Sequence, residues 1–141
     1  MSNFEKNLEQ ALINAKRLTD KILIDGKLIS AQSKNKIPVL NPSTGENIGS
    51  APQCDKNDVN TAVESAHKAF QKWKKIPARE RGKMVAAGAR RLEERKSEIQ
   101  TLLSLDTGNA LRTQAIPETG ASIELTNMFA GLSGELKGEN Y

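Results

Sequence analysis

Cys54 and His67 are the only thiol and the only imidazole in this 141-residue sequence, and a cysteine beside a histidine base is one route to covalent catalysis. Their settings argue against a pair. Cys54 sits in a Pro-Gln-Cys-Asp loop, while His67 falls thirteen residues later inside a helical pattern, on the flank of its apolar stripe. Ser65 and Lys68 match the S-x-x-K spacing of an acylating serine and its lysine, but both companion motifs of that chemistry are missing and the stretch lies within the same helix. There are no paired cysteines and no H-E-x-x-H, so the common metal centres are excluded. Neither G-x-G-x-x-G nor G-x-x-x-x-G-K-[ST] occurs.

Two further patterns have plainer readings. Arg79, Arg81, Lys83, Arg90, Arg91, Arg95 and Lys96 offer charge for phosphates, but Glu80, Glu93, Glu94 and Glu98 interrupt them at helix-neighbour spacing. A solvated, ion-paired face is expected, and no nucleic-acid partner. Asn-Pro-Ser-Thr-Gly-Glu at 41–46 has the hydroxyls and glycine to cradle an anion, yet Asn-Pro followed by Gly is already explained by a turn.

Asp106 is harder to explain away. Ile99, Leu102 and Leu103 recur at helical spacing, Asp106 continues that stripe, and Gly108 reads as the helix stop. A carboxylate in the last turn faces the negative end of the helix dipole and shares an apolar side. Either an ion pair or local hydrogen bonds from Thr107 and backbone amides must offset it.

The elements that position these residues are read from periodicity. Phe4, Leu8, Ala11, Leu12, Ala15 and Leu18 predict an amphipathic helix that docks or extends freely. Asp25-Gly26 predicts a hairpin turn between strands at 21–24 and 27–30. A second hairpin is expected, with one strand to Leu40, a turn over Asn41 to Gly45 and a return to Ala51; Pro38 and Pro52 mark sheet edges. Asp55 or Asn57 caps a helix with Val59, Ala62, Val63, Ala66, Phe70 and Trp73 on one face, and Pro77 closes the segment. Helices at 78–95, with Met84, Val85, Gly88 and Leu92 inward, and at 97–107 come next. A last helix at 117–131 has Pro117 in its first turn, packs through Ile123, Leu125, Met128 and Phe129, and ends at Gly131. The tail from Gly134 reads as the start of a strand.

Composition sets the class. Hydrophobic residues make up 37% and charged residues 27%, a globular balance, and aromatics at 4% predict an aliphatic core. Net charge is +4 with both signs interspersed, which is only mildly basic. No apolar run is long enough to span a membrane, and a lone cysteine without a cleavable leader predicts a cytoplasmic protein. The order is hairpins, then helices, with no strand–helix–strand unit between Asp55 and Gly131 to build a parallel sheet.

Taken in order, "NPSTGENIGSAP", "DVNTAVESAHKAFQKWKKIPARERGKMV", "RLEERKSEIQTLLSLDTGNAL" and "FAGLSGELKGE" resemble the N-terminal part of NAD(P)-dependent aldehyde dehydrogenases. The resemblance covers about Ile22 to Tyr141. It implies an α/β fold that is incomplete: β-hairpins and a helical layer of the cofactor-binding domain, with the Rossmann-like sheet missing. Residues 1–20 form a helical extension and residues 21–141 the truncated domain. Family members oxidise aldehydes to acids through a catalytic cysteine and a water-activating glutamate, passing hydride to NAD or NADP. None of those residues, nor the Gly-rich cofactor turn, has a counterpart here, so no catalytic or cofactor-binding residue is assigned. Cys54 matches no catalytic motif of the family.

The isolated chain is therefore expected to be inactive and to bind no cofactor, and the complete protein to be a homo-oligomer, a dimer or tetramer, acting on an aldehyde. The resemblance also implies a monovalent cation, K+ or Na+, held by the Asp106 side chain and the main-chain carbonyls of Val39 and Leu40. Asn109 departs from the lysine common after that glycine, removing a charge. Residues 121–129 either face the aldehyde channel or simply pack in the core. The alternative function is a small non-catalytic binding or regulatory protein derived from this segment, with the first helix packing on a partner.

Overall fold

The computed structural model describes residues 3–135. Among the described residues there are five α-helices and two separate antiparallel hairpins. Strands β1 (Lys21–Ile24) and β2 (Lys27–Ser30) pair from Lys21 opposite Ser30 to Ile24 opposite Lys27. Asp25 and Gly26 close that hairpin with φ of 53° and 72°, the left-handed pair a two-residue turn demands. Strands β3 (Lys36–Leu40) and β4 (Asn47–Pro52) form the other hairpin. Val39 faces Gly49 but Leu40 faces Asn47, which leaves Ile48 as the extra residue of a bulge. Every strand is an edge, so Pro38 and Pro52 break no interior ladder.

Helix α1 (Asn3–Leu18) docks rather than extending freely, packing on α4 (Lys96–Thr107) and on β4. The buried Asn14 amide donates to Glu98 Oε1 at 2.8 Å, and Arg95 grips the same carboxylate from Nη2 at 2.6 Å and Nε at 3.0 Å. Helix α2 (Lys56–Trp73) begins with a reciprocal capping box: Asp55 Oδ1 accepts from the amides of Asn57 and Asp58, and Asp58 accepts from the amide of Asp55. Asp58 also accepts from the amides of Gln32 at 2.7 Å and Ser33 at 3.3 Å. That buried carboxylate ties the end of the first hairpin to α2. Chiefly the Gln32 bond, then those of Asp55 and Ser33, holds its pKa below the usual carboxylate value against the opposing effect of burial.

Helix α3 (Ala78–Glu94) runs against α5 (Ile116–Leu132). The expected inward face of α3 is displaced: Met84, Val85 and Leu92 are exposed, and Gly82 and Ala89 are buried instead. Gly82 explains why. A methyl group there would lie 2.1 Å from Ser133 Oγ and 2.5 Å from the Ala130 carbonyl, so the helices touch backbone to backbone through small residues. Gly131 lies within α5 rather than ending it. One turn of wider π-type helix, Leu111–Ala115, precedes α5, where periodicity predicts no helix. Pro117 accounts for it, since proline cannot donate to the carbonyl four residues back and its ring crowds that oxygen.

The aliphatic core expected from composition is small. Among the described residues the buried apolar side chains are Ala11, Ala89, Ala115, Ile123 and Ala130, and no large side chain is fully buried. Of the four residues expected to pack from α5 only Ile123 is buried, whereas Leu125, Met128 and Phe129 are half or more exposed. The apolar face of α2 is likewise open at Val59, Val63, Phe70 and Trp73. The strand expected in the tail falls almost wholly outside the described residues.

This packing makes two predictions that melting experiments check. Gly82→Val forces α3 away from α5 and lowers stability by about 2 kcal/mol. Asp58 contributes stability above the unfolded carboxylate pKa, near 4, and loses it as pH falls through its lower folded value. Asp58→Asn therefore melts lower than wild type at pH 7, and the gap narrows on acidification below about pH 4.

Candidate functional site

The first candidates separate in space and in bonding. Cys54 is exposed in the loop before α2, and His67 is exposed on that helix with its Nε2 3.1 Å from Gln71 Nε2. Ser65 and Lys68 both line an open concavity on α2, with no hydrogen bond between them. On the basic run, Lys83 pairs with Glu80 at 2.7 Å, Arg91 with Glu94 at 2.8 Å, Arg95 with Glu98, and Lys96 with Glu93. Arg81 Nη1 donates to the Ile76 carbonyl at 2.7 Å, closing the end of α2. The interrupting glutamates take the roles their spacing suggests.

The 41–46 stretch is a self-satisfied turn. The Asn41 carbonyl accepts from Thr44 and Gly45, its side chain accepts from the Ser43 amide at 2.9 Å, and Gly45 sits at φ 74°. Thr44 Oγ1 donates to Glu46 Oε2, so the hydroxyl serves the turn itself.

That turn meets the end of α4. Gly108 caps the helix at φ 74°, its amide donating to the Ser104 carbonyl at 3.0 Å. A side chain there would come within 2.8 Å of Pro42 Cγ. The Asp-Thr-Gly and Asn-Pro segments, 64 residues apart in sequence at their nearest, are therefore pressed together. Ser104 Oγ donates to the Asn109 carbonyl at 2.7 Å, and the Asn109 side-chain amide donates to both Glu118 oxygens at 3.3 Å. The neutral Asn109 amide thus joins the end of α4 to the first turn of α5.

Beside this contact lies a cleft of about 400 Å³, walled by Leu18 of α1, Val39, Ile48 and Gly49 of the second hairpin, and Leu102 and Asp106 of α4. Asp20 holds the hairpin in place. Its carboxylate accepts from Lys36 and from Ser50 Oγ, and these bonds, Lys36 first, hold its pKa down. Val39 and Asp106 share the cleft; Leu40 is exposed and follows Val39 at the bulge, where sheet pairing is interrupted.

Asp106 itself is exposed, and no described residue forms a side-chain hydrogen bond or ion pair with its carboxylate. No basic residue occupies the last turn of α4. Thr107 is otherwise engaged, its hydroxyl donating to the Leu103 carbonyl at 2.7 Å and accepting from the Asn109 amide. An unpaired carboxylate at the negative end of a helix, beside an interrupted strand, has the donor chemistry a hard monovalent cation requires. Among the described residues no group of three His, Cys, Asp or Glu side chains converges to hold a metal.

Sequence reasoning missed Asp58, Asn14 and the cleft wall from α1. The Asp55–Asp58 spacing carried a capping-box signal; the Asn14–Glu98 contact, 84 residues apart, left no local trace.

The aldehyde dehydrogenase family model matches residues 28–141. The chain is 34% identical over 128 residues to phenylacetaldehyde dehydrogenase from Pseudomonas fluorescens, an alignment covering 89% of this chain and 26% of that one. It is 34% identical over 121 residues to the mitochondrial benzaldehyde dehydrogenase of Antirrhinum majus, covering 84% and 23%. Among solved structures it superposes on betaine aldehyde dehydrogenase from Staphylococcus aureus, in complex with NAD+, with a TM-score of 0.85 at 29% identity, over 94% of this chain and 27% of that one. The chain belongs to the aldehyde dehydrogenase family, an oxidoreductase family, and spans about a quarter of the length of these relatives. No helix among the described residues is long and apolar enough to cross a membrane.

Gly108→Ala should cost about 1–2 kcal/mol from its left-handed backbone alone, with a further loss from the contact with Pro42. Thermal unfolding measures the drop, and Gly45→Ala, with an equal φ but open space around it, separates the two contributions.

Proposed function

We propose that this chain supplies the N-terminal part of an NAD(P)-dependent aldehyde dehydrogenase that oxidises an aldehyde to a carboxylic acid. The observation that carries the reading is the family match over residues 28–141, together with the Gly108–Pro42 contact that joins two of the motifs behind the resemblance. In the complete enzyme a catalytic cysteine and glutamate and the NAD or NADP site belong to the part these 141 residues do not span. The chain's own contribution is architectural: hairpins and helices that brace the cofactor domain. Residues 121–129 of α5 present Leu125, Met128 and Phe129 outward, which suits a wall of the aldehyde channel. The complete enzyme is read as a cytoplasmic dimer or tetramer.

Asp106, with the carbonyls of Val39 and Leu40, is read as a K+ or Na+ site. The ion supplies positive charge at the α4 terminus, and its role is structural. The test is a melt at constant ionic strength. Replacing tetramethylammonium by K+ or Na+ at ten times its Kd adds about 1.4 kcal/mol to wild type and nothing to Asp106→Ala. In tetramethylammonium alone Asp106→Ala is the more stable by about 0.5 kcal/mol, because a carboxylate has left the helix terminus. Equal responses in the two proteins would remove the site.

Activity is tested by joining residues 1–141 to the remainder of the S. aureus betaine aldehyde dehydrogenase in place of its own first quarter. NAD-dependent aldehyde oxidation by the fusion, and none above blank by the 141-residue chain alone, is the expected result. An inactive but folded fusion overturns the reading.

A further inference from the structure

Asp25-Gly26 is the chain's only Asp-Gly pair, and no asparagine precedes a glycine. Both residues of the pair are exposed at the tip of the first hairpin, and the Asp25 carboxylate has no side-chain hydrogen bond or ion pair with a described residue. The Gly26 amide donates to no carbonyl among the described residues. Nothing lies within 4 Å of where a Gly26 β-carbon would stand, so neither a side chain nor a neighbour obstructs that nitrogen. A bond between an aspartate side-chain carbon and the next residue's nitrogen closes a five-membered ring. Such an intramolecular attack needs only that the two groups be free to meet.

The other aspartates each lack one of those freedoms. Asp20 accepts from Lys36 and Ser50, and Asp55 from the amides of Asn57 and Asp58. Asp58 accepts from the amides of Gln32, Ser33 and Asp55, and the Val59 amide that follows it is bonded to the Asp55 carbonyl. Asp106 has a free carboxylate, but the next amide lies within α4 and belongs to β-branched Thr107. The first hairpin, by contrast, can yield: its sheet has two strands, and β2 is exposed along its whole length.

We propose that Asp25-Gly26 is a site of spontaneous backbone modification, converting through a succinimide to isoaspartate in the folded chain. The Gly26 nitrogen bonds to the Asp25 side-chain carboxyl carbon, and the carboxyl hydroxyl leaves with the amide proton as water. Water then adds to either ring carbonyl. Opening at the side-chain carbonyl restores aspartate, whereas opening at the main-chain carbonyl of Asp25 leaves the chain running through the side chain, with the α-carboxylate free. A water leaves and a water returns, so no oxidant or other co-reactant is needed. The product lengthens the backbone by a methylene in a turn of only two residues, and the pairing of Ile24 with Lys27 is lost.

The test ages the 141-residue protein for weeks at neutral pH and body temperature. Isoaspartate is measured by methyl transfer from S-adenosylmethionine, with a protein isoaspartyl methyltransferase as the probe. Methyl acceptance should rise with time and map to the tryptic peptide Ile22–Lys27. That peptide should gain a second chromatographic form of equal mass that an Asp-specific endoprotease no longer cuts. Asp25→Glu should abolish the signal, because its ring would be six-membered and closes far more slowly. Asp25→Asn keeps a pair suited to the turn and should convert severalfold faster, ammonia leaving more readily than water. No gain at this peptide in the folded protein overturns the proposal, and conversion of the free peptide alongside would assign the protection to the fold. Methyl acceptance that maps to Asp106 instead, that survives Asp25→Glu, or that is no faster in Asp25→Asn overturns it as well.

Discussion

Apolar side chains spread around a helix are stable in water only where neighbours cover them, and α5, which interleaves them with Glu118, Glu124 and Asn127, has α3 as its main neighbour. That imbalance governs the molecule. It explains why the buried apolar residues are mostly alanines, and why Leu125, Met128, Phe129 and Leu132 remain open to solvent. The same holds for α2, whose best apolar stripe faces outward.

With so little core, polar links carry an unusual share of the architecture. Asp58 joins the first hairpin to α2, Asp20 joins Lys36 to Ser50, and Asn14 with Glu98 and Arg95 joins α1 to α4. Each satisfies donors that would otherwise be lost from water, so each specifies geometry more than it adds net energy. Glycine does the corresponding work for the backbone, allowing α3 to lie directly on α5 at Gly82 and α4 to end against Pro42 at Gly108.

Much of this was legible in the sequence, for identifiable reasons. Asp25-Gly26 sets its hairpin because few other pairs accept two positive φ angles, and the Pro117, Gly108 and Asp55 signals act on their own neighbours. What sequence reading got wrong was orientation. Met84, Val85 and Leu92 form an apolar stripe on α3, but the contact with α5 uses Gly82 and Ala89, since close approach rewards small residues over hydrophobic ones. Asp106 was visible as an anomaly of one helix. That it shares a cleft with Val39 depends on how two distant turns stack, which no local pattern encodes.

The π-type turn at Leu111–Ala115 has a consequence for how this segment tolerates change. It stores one residue more than an α-helical turn would use between the Gly108 cap and Pro117. Deleting one residue there would tighten the turn to α-helical winding while leaving the α4 end and the α5 face in register. The same deletion between Gly120 and Phe129 would swing the rest of α5 by about 100°, turning Ala130 away from Gly82. The chain's length is thus more easily changed in this turn than within the helix that follows it.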